Sequence, residues 1–150
     1  LTRNLPITAR FIEFMPLDAD HRWSADAVMA SAEIVAAIDA VFPLEVMPRG
    51  SDPAERHRYL DGRGEIGVIG TVTEPFCSKC DRVRLTADGQ VRNCLFARKE
   101  SDLRTALRSG AGDAELARLW EVAMAGKLPG HGIDDPGFLQ PARPMSAIGG

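Results

Sequence analysis

The 150-residue sequence lacks the features that mark several large classes of protein. No apolar run approaches the roughly 18–20 residues that a membrane-spanning helix needs, and no signal peptide is visible. The net charge of −3 provides no overall basic field for nucleic acid. Internal repeats and low-complexity tracts are absent as well. The sequence therefore predicts a cytoplasmic protein with neither a membrane nor a nucleic acid as partner.

What is present indicates a folded domain. Apolar residues make up 45% and charged residues 26% of the chain, which is typical of a soluble globular protein and not of a disordered one. The length suits about one domain with a buried core. Since Leu1 rather than Met stands first, we expect the chain to be a fragment or domain of a longer protein.

The cysteines carry the clearest chemical signal. There are three, Cys77, Cys80 and Cys94, in a C-x2-C-x13-C pattern. An odd number of clustered thiols in a cytoplasmic chain indicates metal binding rather than a disulfide framework. Thiolates are soft ligands for zinc or for iron–sulfur clusters. Because three cysteines cannot supply the four ligands of an all-cysteine 4Fe–4S cluster, one iron would stay open for substrate.

Two simpler interpretations of the cysteines stay open at this point. A structural zinc site would need one histidine as its fourth ligand, and the candidates are His21, His57 and His131. Alternatively, the cysteines are unliganded residues of the core.

Periodicity and capping signals predict mixed α and β structure. Strands are predicted at residues 7–14, 44–47 and 65–73, and helices at residues 24–42, 101–107 and 113–126, with N-caps at Ser24, Ser101 and Asp113 and a C′ glycine at Gly126. The polar, Gly/Pro-punctuated residues 49–63 are predicted to be a loop. Composition alone predicts a disordered tail after Lys127.

Cys94 is predicted to lie on a hairpin that has two candidate registers. A two-residue Asp-Gly turn would pair Val83 with Cys94. A three-residue Ala-Asp-Gly loop, with Gly89 left-handed, would pair Arg82 with Cys94. The choice matters because a shift of one residue moves every side chain to the other face of the strand. We favour the three-residue loop because it puts Arg82 and Arg84 on the same side as Cys94.

Arg82 and Arg84 are candidate anion ligands. Alternate residues of a strand share a face, and two guanidiniums on one face beside a metal form a site suited to phosphate or carboxylate. The alternative is a solvated basic edge that discourages strand pairing. The adjacent cysteines favour the anion site.

Three segments of the chain resemble one known family. They are PFCSKCDRVRLTADGQVRNCLF, the opening RFIEFMPL and the ending FLQPARPMSAIGG, and they are similar to the C-terminal portion of GTP 3′,8-cyclases. The resemblance runs from about residue 10 to residue 150. It implies a radical S-adenosylmethionine lyase that opens molybdenum cofactor biosynthesis by converting GTP to (8S)-3′,8-cyclo-7,8-dihydroguanosine 5′-triphosphate.

The resemblance also implies roles for individual residues. These are Cys77, Cys80 and Cys94 as ligands of a 4Fe–4S cluster whose open iron binds guanine; Arg82, Val83 and Arg84 in GTP binding; Arg10 and Met15 in S-adenosylmethionine binding; and Gly149 and Gly150 in a tail that supports the active site. Glycine suits such a tail because its backbone approaches other groups closely.

The implied fold is α/β: the C-terminal part of a partial (β/α) TIM-type barrel with a cluster-bearing α+β extension. Residues 1–64 would belong to the barrel, residues 65–126 would form the iron–sulfur and GTP-binding region, and residues 127–150 would be an extended tail ending in Gly-Gly. The first strand, at the open side of such a partial barrel, would favour association, and a homodimer is one candidate assembly.

One departure from the family is large. Its members carry a second 4Fe–4S cluster on an N-terminal C-x3-C-x2-C motif that cleaves S-adenosylmethionine, and this sequence has no such motif. The chain alone is therefore expected to be inactive, holding GTP rather than generating a radical. The implied acceptor of the product is the next enzyme, cyclic pyranopterin monophosphate synthase. Two rival classes are an iron–sulfur electron-transfer module and a zinc-stabilised interaction domain.

Overall fold

The computed structural model describes residues 1–50 and 52–148. The chain forms two compact units: the first contains residues 1–15 and 23–80, and the second contains residues 16–22 and those from 81 onward. Each unit has a small sheet of its own. None of the described helices is long and apolar enough to cross a membrane.

Four strands form the sheet of the first unit. They are β1 (Ala9–Ile12), β2 (Leu44–Val46), β3 (Glu55–Tyr59) and β4 (Glu65–Ile69). Their order across the sheet is β1-β4-β3-β2; β1 runs parallel to β4, and the other neighbours are antiparallel. The predicted strands at residues 7–14, 44–47 and 65–73 are thus present in shorter form.

Helix α1 (Ser31–Asp39) packs on one face of this sheet. The core between them consists of Ile34, Tyr59, Ile66 and Val68, with Val35, Ile38 and Leu44 partly buried against it. The residues that alternate with these along each strand lie on the opposite face of the sheet. There Arg10, Gly67 and Arg56 are aligned across β1, β4 and β3. One face is therefore apolar and covered by α1, and the other carries charge.

Helix α1 begins later than predicted. Residues Ala25–Ala27 form a single 3-10 turn, so the prediction of a continuous helix from Ser24 is wrong. The N–H of Ala30 donates to the Glu33 carboxylate at 2.9 Å. Since the first N–H groups of a helix have no partners inside it, the helix starts where such acceptors are available.

Strand β3 lies inside residues 49–63, where we predicted a loop. That prediction is wrong because β3 is apolar on one side only. Arg56 and Arg58 alternate with His57 and Tyr59, each 6% exposed, and the second pair faces the core side of the sheet. A half-charged strand of this kind has too few apolar residues for periodicity to mark it.

The second unit contains a three-stranded antiparallel sheet and two helices. The strands, in order across the sheet, are β5 (Arg84–Leu85), β6 (Gln90–Arg92) and β7 (Ser101–Asp102), and the helices are α2 (Arg104–Arg108) and α3 (Asp113–Ala125). Ser101 lies in β7, so its predicted role as an N-cap is wrong. Asp102 accepts the N–H of Thr105 at 3.1 Å instead.

The ends of α3 differ slightly from the prediction. The helix begins at Asp113, and Gly112 rather than Asp113 is its N-cap. Gly126 closes the helix with φ −77°. It is therefore a C-cap in an ordinary conformation and not the left-handed C′ glycine that we predicted.

The tail after Lys127 is anchored at particular residues between 141 and 148. Ile148 is 0% exposed, and Pro141 is fully buried as well. The N–H of Met145 donates to the Leu17 carbonyl at 2.9 Å. The prediction of disorder from composition is therefore wrong for these residues. Gly149 and Gly150 lie outside the described residues.

The predicted mixed α/β class is confirmed at this coarse level. The described residues form two sheets and no closed barrel. The compact units divide the chain after Cys80. The predicted division of the chain by role, into residues 1–64, 65–126 and 127–150, stays a prediction.

Candidate functional site

The C-x2-C pair lies on a tight turn of the first unit. Residues Cys77–Lys79 form one 3-10 turn, and the N–H of Cys80 donates to the carbonyl of Cys77 at 3.2 Å. Both cysteines are partly buried. A turn of this size lets two sulfurs approach one metal from adjacent positions, which is the local geometry that the spacing predicts.

The β5–β6 hairpin has the register of the three-residue loop. Arg84 is opposite Arg92, and the N–H of Thr86 donates to the Gln90 carbonyl at 2.9 Å. Gly89 is left-handed, with φ +78°, as that loop requires. The register that we favoured is therefore the one observed.

The observed pairs are Arg84–Arg92 and Leu85–Val91, so the predicted alignment of Arg82 with Cys94 stays an extrapolation of this register. Regular pairing ends at Arg84, and Lys127 bridges the open end of the hairpin. Its ammonium donates to the Arg82 carbonyl at 2.6 Å and to the Asn93 carbonyl at 2.7 Å. Lys127 therefore ties the backbone at Arg82 to the backbone at Asn93, the residue before Cys94.

Arg92 organises the turn that contains Cys94. It is 3% exposed, and it forms an ion pair with Glu100 at 2.5 Å. The same guanidinium donates to the carbonyls of Leu95 and Ala97 at 3.0 and 2.5 Å. Sequence reasoning missed this role, although a third arginine eight residues after Arg84 was the available signal.

A cavity of about 550 Å³ opens beside Cys94 within the second unit. Its walls include Asn93, Cys94, Phe96, Lys99, His131 and Phe138. The rings of Phe96 and His131 lie 4.7 Å apart. Of the histidines that we considered as a fourth ligand, His131 thus shares a cavity wall with Cys94, whereas His57 is buried in β3 of the first unit.

Arg82, Val83 and Arg84, the predicted GTP-binding residues, are all partly buried. Arg84 begins β5, and the other two precede it directly. Arg84 and Arg92 share a face of the hairpin because they are cross-strand partners. The charge of Arg92 is compensated by Glu100, and the predicted roles of Arg82 and Arg84 as anion ligands stay a prediction.

The predicted S-adenosylmethionine residues belong to the first unit. Arg10, on β1, forms an exposed ion pair with Asp52, with 3.1 Å between Nη2 and Oδ2. Gly67 lies opposite, and a Cβ there would approach the Arg10 side chain to 3.4 Å and Ala54 to 3.1 Å. Met15 follows the end of β1 and is partly buried. Their ligand roles stay a prediction.

Glu13, which sequence reasoning did not single out, stands between those two residues. It is 2% exposed, and its carboxylate accepts the N–H of Ser31 at 2.7 Å, at the start of α1. It also accepts the N–H of Val72 at 2.6 Å and the N–H and hydroxyl of Thr73 at 2.9 and 2.5 Å. One carboxylate thus joins the carboxyl ends of the parallel strands β1 and β4 to the helix.

The pKa of Glu13 lies below its ordinary value. Burial raises the pKa, but the hydrogen bonds from the Thr73 hydroxyl and from the backbone N–H groups outweigh burial because they stabilise the charged form. The only sequence signal for this residue was an acid within the apolar run RFIEFMPL.

The three cysteines have the chemistry of metal ligands, and Cys77 and Cys80 share one tight turn. Cys77 and Cys80 belong to the first unit and Cys94 to the second. Across residues 1–50 and 52–148, no three His, Cys, Asp or Glu side chains are grouped so as to hold a metal ion. The triad as one ligand set therefore stays a prediction.

The fold is thus a mixed α/β domain with cysteines on a tight turn and just after a hairpin strand. A family model described as "Molybdenum Cofactor Synthesis C" matches residues 7–133. The chain belongs to this family.

Curated relatives agree with that assignment. A GTP 3′,8-cyclase of Mycobacterium sp. (strain KMS) is 57% identical over 143 residues, which cover 94% of this chain and 41% of the relative. GTP 3′,8-cyclases of Streptomyces coelicolor and Corynebacterium glutamicum (strain ATCC 13032) are 56% and 53% identical over 144 and 148 residues, covering 94% of this chain and 42% and 39% of the relatives. The chain thus spans about two fifths of the length of the curated relatives it matches.

Proposed function

We propose that this chain is the cluster-carrying, GTP-holding C-terminal portion of a cytoplasmic GTP 3′,8-cyclase, a radical S-adenosylmethionine lyase of molybdenum cofactor biosynthesis. The observation that carries the proposal is the register of the β5–β6 hairpin. Continued past the Arg84–Arg92 pair, this register would put Arg82 opposite Cys94, so that two arginines and one cysteine would share a side of one hairpin. The match to relatives that are named GTP 3′,8-cyclases supports the identity of the substrate.

Cys77, Cys80 and Cys94 would hold the cluster. When bound, a three-cysteine 4Fe–4S cluster supplies an open iron that takes a ligand atom of guanine. Arg82 and Arg84 would neutralise the triphosphate with charge-assisted hydrogen bonds, and Val83 would contribute to GTP binding between them. Fixing the base and the phosphates restricts the ribose between them, so that C3′ and C8 are brought together by positioning.

The first unit would form part of the barrel. Its β1–β4 pair is parallel, as the strand pairs of (β/α) barrels are, and its connection contains α1 followed by the antiparallel strands β2 and β3. Arg10, on β1, and Met15, beyond the carboxyl end of that strand, would lie at the S-adenosylmethionine side of the site. Gly149 and Gly150 would support the active site from the tail, and the intact enzyme would pass its product to cyclic pyranopterin monophosphate synthase.

The test is GTP binding by the anaerobically reconstituted chain. We expect a 4Fe–4S spectrum that GTP perturbs, and binding measurable by calorimetry. Arg82→Ala and Arg84→Ala should each weaken GTP binding by about tenfold, the effect of one charged hydrogen bond, and should leave guanosine binding almost unchanged. Arg118→Ala, at an exposed ion pair on α3, is the matched control. A cluster spectrum that GTP leaves unchanged, together with no measurable binding, would refute the proposal.

The same preparation separates the rival classes. An iron–sulfur electron-transfer module would form its cluster, and Arg82→Ala and Arg84→Ala would leave its binding properties unchanged. A zinc-stabilised domain would contain one zinc per chain with no brown chromophore, and His131→Ala would release the metal. Metal analysis and the absorption spectrum therefore identify a zinc-stabilised domain before GTP is added, and GTP binding then separates the two iron–sulfur classes.

A further inference from the structure

The C-terminal tail is tied to the Cys94 hairpin by a charged network inside the second unit. Arg143, in the tail, donates to both carboxylate oxygens of Asp88 at 3.0 and 2.5 Å. The same guanidinium lies 3.5 Å from Glu100. Asp88 is at the tip of the hairpin, where it also accepts the hydroxyl of Thr86 at 2.5 Å. The planar fork of arginine matches a carboxylate in this two-bond arrangement.

Glu100 extends the network to the turn that contains Cys94. One of its oxygens faces the tail arginine, and the other pairs with Arg92 at 2.5 Å. Arg92 in turn holds the carbonyls of Leu95 and Ala97. Because Arg92 is buried, the loss or rotation of its carboxylate partner is costly. Contacts made by the tail therefore bear on the geometry of the Cys94 turn.

The tail is seated by contacts on both sides of Arg143. Pro141 is fully buried, and the N–H of Met145 donates to the Leu17 carbonyl. Ile148 is 0% exposed. Arg143 thus stands in the middle of a docked segment and supplies its charged contact with the hairpin tip.

We propose that Arg143 is a positioning residue that couples the seating of the tail to the geometry of the Cys94 turn. Releasing Arg143 from Asp88 frees the tail from the hairpin tip and removes one of the two arginines that orient Glu100. The importance of the coupling for GTP rests on the proposed function, but the coupling itself needs neither metal nor nucleotide. It predicts that a change in the tail alters the accessibility of Cys94.

The experiment compares the reduced chain with its Arg143→Met variant in two measurements. Hydrogen exchange reports on residues 141–148, and mass spectrometry follows alkylation of each cysteine by iodoacetamide. We expect Arg143→Met to speed exchange of the tail and to raise the alkylation rate of Cys94 by about threefold to tenfold, as for a partly exposed bidentate ion pair. The rates of Cys77 and Cys80, in the other unit, should not change.

Arg118→Met is the matched control. It also replaces an arginine by methionine, but at an exposed ion pair with Glu115 that has no link to the tail. Arg143→Lys keeps the charge without the fork and should give a smaller effect than Arg143→Met. Asp88→Asn removes the hairpin-tip carboxylate and serves as the test if Arg143→Met does not fold.

A change of less than twofold in both measurements for Arg143→Met, or faster tail exchange with an unchanged Cys94 rate, would overturn the coupling. Since no GTP is present, failure of GTP binding would refute the proposed function and leave this result standing. Coupling without GTP binding would thus refute only the proposed function, and GTP binding without coupling would refute only the role of Arg143.

Discussion

Replacing Glu13 by glutamine is expected to destabilise the first unit by about 2–4 kcal/mol at pH 7. The carboxylate is 2% exposed and accepts four hydrogen bonds. Glutamine keeps the shape but replaces one oxygen by an NH2 group. At Oε2 the NH2 would leave the N–H groups of Val72 and Thr73 without an acceptor. At Oε1 it would leave the N–H of Ser31 without one, while the Thr73 hydroxyl can turn and accept from it. A hydrogen bond to a charged group contributes about 1.5–3 kcal/mol, and relaxation of the loop offsets part of the sum.

Urea unfolding followed by tryptophan fluorescence measures this change. Trp23 belongs to the same unit, where its indole N–H donates to the Phe14 carbonyl at 2.8 Å. Glu33→Gln is the matched control, because Glu33 is exposed and accepts one hydrogen bond, from the N–H of Ala30. That variant should lose at most about 1 kcal/mol.

The effect of Glu13→Gln should also depend on pH. A carboxyl whose pKa is lowered by folding stabilises the fold above its unfolded pKa, and the contribution is lost as pH falls through the folded pKa. The pKa of Glu13 is lowered, so the difference from the wild type should be full at pH 7 and should narrow below the ordinary glutamate pKa of about 4.3. A difference below about 0.5 kcal/mol at pH 7 would refute the assigned hydrogen bonds.

Two further substitutions test the hairpin. Gly89→Ala should lower the free energy of unfolding by about 2–4 kcal/mol, because φ is +78° and a Cβ would lie 2.6 Å from the Cβ of Arg104. Gly110→Ala is the control: φ is +83° but nothing lies within 4 Å of the added Cβ, so the cost should be about 1 kcal/mol. Equal costs in thermal or urea unfolding would contradict the contact with Arg104. Lys127→Met should speed amide exchange around Arg82 by about tenfold or more through loss of the bridging ammonium, and unchanged exchange would show that the bridge is dispensable.

The cysteine hairpin was predictable because its signals are local. A three-residue loop with a left-handed glycine depends on a few consecutive residues, and the preference for Gly89 can be read from the sequence. The 3-10 turn at Cys77–Lys79 follows in the same way from the C-x2-C spacing. Choosing between two registers still required an argument about function, since both turns were compatible with an Asp-Gly pair.

Strand β3 and the packed tail were not predictable in that way. β3 becomes a strand because β2 and β4 pair with it on both sides. The tail is ordered by partners distant in sequence, such as the contact between Arg143 and Asp88, 55 residues apart. Local composition contains no record of these partners, so a Pro/Gly-rich segment looks disordered until its contacts are known.

The sequence by itself determined the residue types and their spacing: three cysteines in a C-x2-C-x13-C pattern, two arginines directly after Cys80, and patterns that predict a mixed α/β scaffold. Only the tertiary structure decided which polar groups support that chemistry. Glu13, Arg92 and Arg143 are distinguished by partners, and burial makes those partners energetically important because a charge removed from water must be compensated. Residue type and spacing report what a side chain can do, whereas its surroundings decide whether it binds a ligand or holds the fold that does.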